Sequence, residues 1–249
     1  MKGLFDMKTW MWKIWAIAIL PTFAVAAQDV LVYDNTTTDT GYALMFTNNQ
    51  EIGDQIWLDN ATHPYLTGFS FEYYSPNLSF SQTSIAVDVR FYLNDGSPFN
   101  GYSTPSTLFY DTGWFDVQTP LSYFPGTNVA VLSFTNADLY TDALLNMNPN
   151  TQMPSNFTFT VTFQGLSGSD QVGLPSFEPP AVGTNYGDYW WQPQGSWQLW
   201  TNSLNGGDQP IAWGAQLYGT NQPTPEPTTL CLAAVGAALL AGFARRRRQ

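Results

Sequence analysis

Ser84-Ile85-Ala86-Val87-Asp88-Val89-Arg90-Phe91-Tyr92-Leu93 decides the fold of this chain. Ile85, Val87, Val89, Phe91 and Leu93 share one phase; Ala86, Asp88, Arg90 and Tyr92 share the other. Strict alternation sends successive side chains to opposite faces of an extended backbone, so the segment is an antiparallel strand with one buried face. The same rhythm returns in Phe157–Phe163, where Phe157, Phe159, Val161 and Phe163 alternate with Thr158, Thr160 and Thr162. It returns again in Phe69, Phe71 and Tyr73 against Ser70, Glu72 and Tyr74. Each polar phase reads as a solvated face.

Weaker strand patterns lie at 30–33, 43–46, 55–58, 107–110, 129–134, 196–200 and 211–218. Turn formers separate them: Asn94-Asp95-Gly96, Pro125-Gly126, 165–168 and Asn205-Gly206-Gly207. Many short strands at this spacing predict an all-β fold, a jelly-roll-like antiparallel β-sandwich over residues 28–220. Only 137–146 suggests a short helix.

Charge is distributed unevenly. The chain has 249 residues, 8 of them Lys or Arg and 19 Asp or Glu. Between Gln28 and Thr224, Arg90 is the one basic residue against seventeen acids, a net charge of −16. Phosphate neutralisation requires Lys and Arg, so a nucleic-acid partner is excluded. Aromatics reach 16% and charged residues only 11%, the balance of a chain that buries a core. The one cysteine, Cys231, leaves 28–224 without a disulfide, a thiolate or a Cys-based metal site.

The two ends differ from the middle. Lys8 and Lys13 precede a short apolar stretch, Ile14–Leu20, which Pro21 closes before Ala24-Val25-Ala26-Ala27. This is the layout of a signal peptide over residues 1–27, cut between Ala27 and Gln28 or one residue earlier by a signal peptidase. An uncleaved anchor is the competing reading, and the start can be Met1 or Met7. Near the other end, Pro-rich 222–227 makes an extended spacer. Residues 228–244 are uncharged and about 25 Å long as a helix, slightly short of the ~30 Å bilayer core. Arg245, Arg246, Arg247 and Arg248 then fix the cytoplasmic side. A C-terminal transmembrane helix is predicted.

Pro225-Glu226-Pro227, the apolar run and the arginine cluster, in that order behind a signal peptide, resemble the PEP-CTERM sorting signal of bacterial exosortase substrates. The resemblance covers residues 221–249. It implies recognition by a membrane-embedded exosortase, processing near Pro225, Glu226 and Pro227, and a link to extracellular polysaccharide or biofilm. It implies a location at the cell surface or outside the cell, with the membrane as anchor until processing. Segments such as Leu66–Phe71, Arg90–Gly96 and Leu108–Gly113 are similar to the β-sandwich found in many PEP-CTERM proteins, which brings no established activity with it.

Little in the middle region suggests catalysis, and the chain is read as a non-enzyme. His63 is the single histidine, set in the loop Asn60-Ala61-Thr62-His63-Pro64. A Ser-His-Asp set needs a supported histidine, and zinc needs several His or Cys ligands. The acids are scattered, with no flanking signature of the carboxylate pair that glycoside hydrolysis requires. Asp88 reads as a solvated strand residue, Asp95 and Asp111 as turn formers. No cofactor is expected beyond calcium, for which Asp138 and Asp142 supply oxygen ligands. Tyr189, Trp190, Trp191, Trp197, Trp200 and Trp213 cluster in the chain. Aromatic faces stack on sugars, which makes Trp190, Trp191 and Trp200 candidates for a carbohydrate-binding surface; filling the core is the alternative.

Overall fold

A computed structural model describes residues 29–75, 85–117, 122–123, 129–135, 152–166, 170–201 and 211–222. Sixteen strands run through them. β1 (Val30–Asp34), β2 (Asp39–Met45), β3 (Glu51–Trp57), β4 (Tyr65–Tyr74) and β5 (Ala86–Tyr92) come first. β6 (Pro98–Phe99) and β7 (Tyr102–Ser103) form a small hairpin, followed by β8 (Leu108–Asp111), β9 (Phe115–Asp116) and β10 (Ser122–Tyr123). β11 (Val129–Thr135), β12 (Asn156–Gln164), β13 (Gly173–Phe177), β14 (Thr184–Gln192), β15 (Gln198–Thr201) and β16 (Ala215–Thr220) complete the set. A single 3-10 turn, Pro193–Gly195, separates β14 from β15.

The strands build two antiparallel sheets. The first is ordered β1-β16-β4-β11-β10, with β13 joining β2 and β4. The second is ordered β15-β14-β3-β12-β5-β8, with β9 also on β5. The chain crosses between sheets at β2–β3, β3–β4, β4–β5 and β9–β10, at each step from β11 to β14, and at β15–β16, in the manner of a jelly roll. The three alternating segments of the sequence are β4, β5 and β12. Their apolar phases face one another across the sandwich: Phe69 meets Phe91 edge-on at 5.1 Å and Phe159 at 5.8 Å, and Tyr73 lies 6.1 Å from Phe163. Phe91, Phe157, Phe159 and Phe163 have no solvent exposure. Each such ring stabilises the fold by about 1.5–3 kcal/mol through burial.

The polar phase of the second sheet is not solvated as the alternation predicts. Thr158, Thr160, Thr162 and Asp88 are all buried. The hairpin β6–β7 and nearby rings fold onto this outer face. Phe99 packs 6.4 Å from Trp190, Tyr102 lies 4.8 Å from Tyr186, and Trp197 lies 5.5 Å from Tyr92. Asn100 and Gly101 turn the hairpin with φ of 51° and 89°, the pair of positive φ values that an Asn-Gly two-residue turn supplies.

Two of the longer strands, β13 and β14, have no counterpart in the sequence reading, and neither do the two-residue strands β6, β7, β9 and β10. β13 contains Pro175, which removes a ladder donor and disguises a strand. β14 contains Gly187 and Asp188, and its pairing to β3 slips between Asn185 and Tyr189. That bulge puts Tyr186, Gly187 and Asp188 opposite Gln55 alone and breaks the period of two. Several expected strands shift their bounds; 43–46 becomes Asp39–Met45 and 196–200 becomes Gln198–Thr201. The 55–58 pattern begins earlier, at Glu51. The 211–218 pattern becomes an irregular crossing over 211–214, tied by the Ser176–Trp213 bridge, before β16. The predicted helix at 137–146 lies outside the described residues.

Candidate functional site

The one cation of the middle region sits on the outer face of the second sheet. β5 carries Arg90 between Thr160 of β12 and Asp111 of β8. Its Nη1 pairs with Glu51 Oε2 at 3.2 Å, its Nε with Asp111 Oδ2 at 3.1 Å, and its Nη2 with Asp88 Oδ2. Thr160 Oγ1 donates to the second oxygen of Glu51 at 2.7 Å. Asp88 is 1% exposed, which corrects its reading as a solvated strand residue. Burial pushes its carboxyl up to about 6 although Arg90 opposes the rise. The arrangement gathers three strand-borne acids around one guanidinium.

A second polar centre lies inside the sandwich. Ile52, Asp54 and Ile56 share the inward phase of β3, so Asp54 enters the core opposite Phe159. Asp54 has no solvent exposure. Its Oδ2 accepts from the Trp213 backbone N–H at 3.2 Å, and its Oδ1 has no partner. Burial drives the carboxyl well above the ordinary range, the Trp213 N–H opposes this, and the Glu178 carboxylate adds to it. Burial likewise raises Glu178, whose Oε2 is shut off from solvent without a partner. Tyr33 is fully buried with its hydroxyl unpartnered. The Asn185 amide lies beside Tyr33, Asp54 and Glu178, yet its Nδ2 forms no bond of good geometry. Sequence reasoning missed this centre. The signal was an acid in the apolar phase of Glu51-Ile52-Gly53-Asp54-Gln55-Ile56.

Glu72 is a further buried acid, on the outer face of β4. It is 8% exposed, and burial, with Asp39 and Asp34 adding, pushes it up to about 7.

The aromatic candidates separate. Trp190 is 1% exposed, so its ring cannot present a face to a ligand in this arrangement. It stands opposite Gly53 in the ladder and beneath Phe99. Trp200 is 48% exposed on β15. Its ring stacks on Tyr189 at 6.2 Å and meets half-buried Trp191 at 5.7 Å. Trp213 and Tyr189 belong to the core. The structure therefore brings Trp191 and Trp200 together at a rim and removes Trp190 from it.

His63 Nδ1 lies 2.8 Å from Thr62 Oγ1 in an exposed loop contact. Among the described residues, no three His, Cys, Asp or Glu side chains converge as a metal group, and no helix is long and apolar enough to cross a membrane. Ala27, Gln28, Asp138, Asp142, the span 228–244, Pro225, Glu226, Pro227 and Arg245–Arg248 lie outside the described residues.

Neither a curated protein nor a solved structure matches the chain. One family model does. Residues 223–248 match the PEP-CTERM protein-sorting motif, so the chain is an exported protein sorted through that motif at the membrane by an exosortase.

Proposed function

We propose that the protein is a cell-surface or extracellular-matrix component tied to exopolysaccharide or biofilm, and that its sandwich is non-catalytic. The sorting motif at 223–248 carries this reading. A signal peptide over 1–27, cut by signal peptidase, would start export. The apolar run 228–244 would hold the chain in the membrane as a helix, with Arg245–Arg248 inside, until an exosortase acts near Pro225-Glu226-Pro227. The Lys-free, Cys-free acidic middle suits that destination, since surplus negative charge keeps an exported domain soluble. Replacing Pro225, Glu226 and Pro227 with alanine in the native host tests it. The protein should stay unprocessed in the membrane fraction; unchanged mass and location would refute the sorting role of the triplet.

A second reading is a carbohydrate-binding module. Exposed Trp200, backed by Tyr189 and Trp191, favours it. A glycan array separates the two: sugar binding lost in Trp200→Ala supports the module, and an unbound array supports the structural role. Turnover of glycosides or esters that depends on one named carboxylate would establish a hydrolase instead.

A further inference from the structure

We propose that Asp54 and Glu178, with the Tyr33 hydroxyl and the Asn185 amide, form a binding site for one calcium ion at the end of the sandwich core. The reasoning begins with charge. Asp54 is fully buried; Asn185 is its inward-phase neighbour on β14, the Phe177 N–H bonds Ala212 O beside the Trp213 N–H that Asp54 accepts, and the Glu178 carboxylate acts on Asp54. An unpaired buried carboxylate is costly. The chain has no cation for this centre: Arg90 is the one Lys or Arg between Gln28 and Thr224, and three other acids hold it. The Asp54 carboxyl therefore either keeps its proton or takes compensating positive charge from outside the chain, and a cation that binds there displaces that proton.

The unpartnered atoms say which kind of cation. Asp54 Oδ1, Glu178 Oε2 and the Tyr33 hydroxyl are three buried oxygens without hydrogen-bond partners. Asn185 presents a partnerless Nδ2 beside them. Turning that amide over offers a fourth oxygen in the same place, and the two orientations differ only in which atom is called nitrogen. An all-oxygen set with two carboxylates suits a hard, flexible-geometry ion such as calcium rather than zinc. The backbone builds the niche locally. The three-residue bulge of β14 follows Asn185. Glu178 leads the β13–β14 connection, anchored by its N–H on Thr38 O at 2.9 Å. Trp213 N–H already occupies Asp54 Oδ2, which leaves Oδ1 for the ion. The site is separate from Asp138 and Asp142, the calcium candidates of the sequence.

The test uses full-length protein stripped with a chelator at neutral pH, with calcium chloride alone as the probe. Titration calorimetry should give one site with a dissociation constant of about 10⁻⁴–10⁻³ M, the range of extracellular modules. Glu178→Gln, at the rim, should weaken it at least tenfold while the protein still folds. Asp54→Asn should abolish it and leave the calcium-free protein no less stable than the parent, because a buried charge is gone. Absence of calcium binding overturns the proposal. So does binding that survives both substitutions, which would put the ion elsewhere. Failure of either result leaves the sorting role untouched, because sorting is read from the tail.

Discussion

Arg90→Gln should destabilise the protein in a strongly pH-dependent way. The substitution keeps a polar side chain, though a shorter one, and removes the charge that three carboxylates share. Glu51 and Asp88 are 5% and 1% exposed, so water cannot replace the guanidinium at either. Removing one partner of a buried pair costs about 3–5 kcal/mol. Arg90 is itself 27% exposed, so screening reduces this to about 2–4 kcal/mol. Asp88 sets the sign. Its folded value, about 6, lies above its free value of 3.8. Its favourable share of stability is therefore complete below 3.8 and lost as pH rises through 6. Without Arg90 the folded value climbs further, and each added unit costs about 1.4 kcal/mol where the group must ionise. Urea unfolding followed by tryptophan fluorescence should show a penalty of about 2–4 kcal/mol at pH 8. At pH 4 the penalty should shrink to less than half of that. Arg90→Gln combined with Asp88→Asn should recover at least half of the loss at pH 8. A penalty below about 0.5 kcal/mol, or one equal at both pH values, would refute the account of a shared buried cation.

Three other substitutions probe separate parts of the fold. Glu72→Gln should leave stability at pH 4 unchanged and raise it at pH 8 by about 1–2 kcal/mol, since the parent loses stability as pH rises from 4.5 through about 7; denaturant midpoints at the two pH values check this. Gly183→Ala should cost about 2–4 kcal/mol in thermal unfolding. Its φ is +77°, and a Cβ there would sit 2.5 Å from Trp57 O and 2.8 Å from Tyr33 Cδ2, so a loss under 1 kcal/mol would contradict the close approach. Phe159→Ala should cost about 3–5 kcal/mol by the same measurement, because the ring is fully buried against Phe69.

Strands whose two faces differ in polarity were legible in the sequence. β4, β5 and β12 follow their alternation, and their apolar phases make the core. β13 and β14 were not legible, because Pro175 and the bulge at Tyr186–Asp188 erase the period that marks a strand. The polar phase of β5 and β12 misled for a different reason. Periodicity tells which residues share a face, not whether another segment covers it. Asn100-Gly101 was the available sign of that cover, a two-residue turn signal between Phe99 and Tyr102. Whether Trp190 faced a ligand or filled space inside turned on the same cover, since Phe99 packs against it. Asp54 was legible in principle, being in phase with Ile52 and Ile56, but an acid in a strand suggests solvent unless its phase is followed. The tail needed no packing information, because the order of triplet, apolar run and arginines is itself the signal.

Arg90 also determines how the folded region meets proteases. A trypsin-like enzyme cuts after Lys or Arg, and between Gln28 and Thr224 it finds one such bond, Arg90-Phe91. That bond lies within β5, paired to β12 on one side and β8 on the other. Cleavage there requires the strand to leave its sheet, so digestion in the middle region waits on unfolding and then yields one cut. For an exported protein, the same scarcity of cations that leaves its acids short of partners also gives this class of enzyme almost nothing to hold.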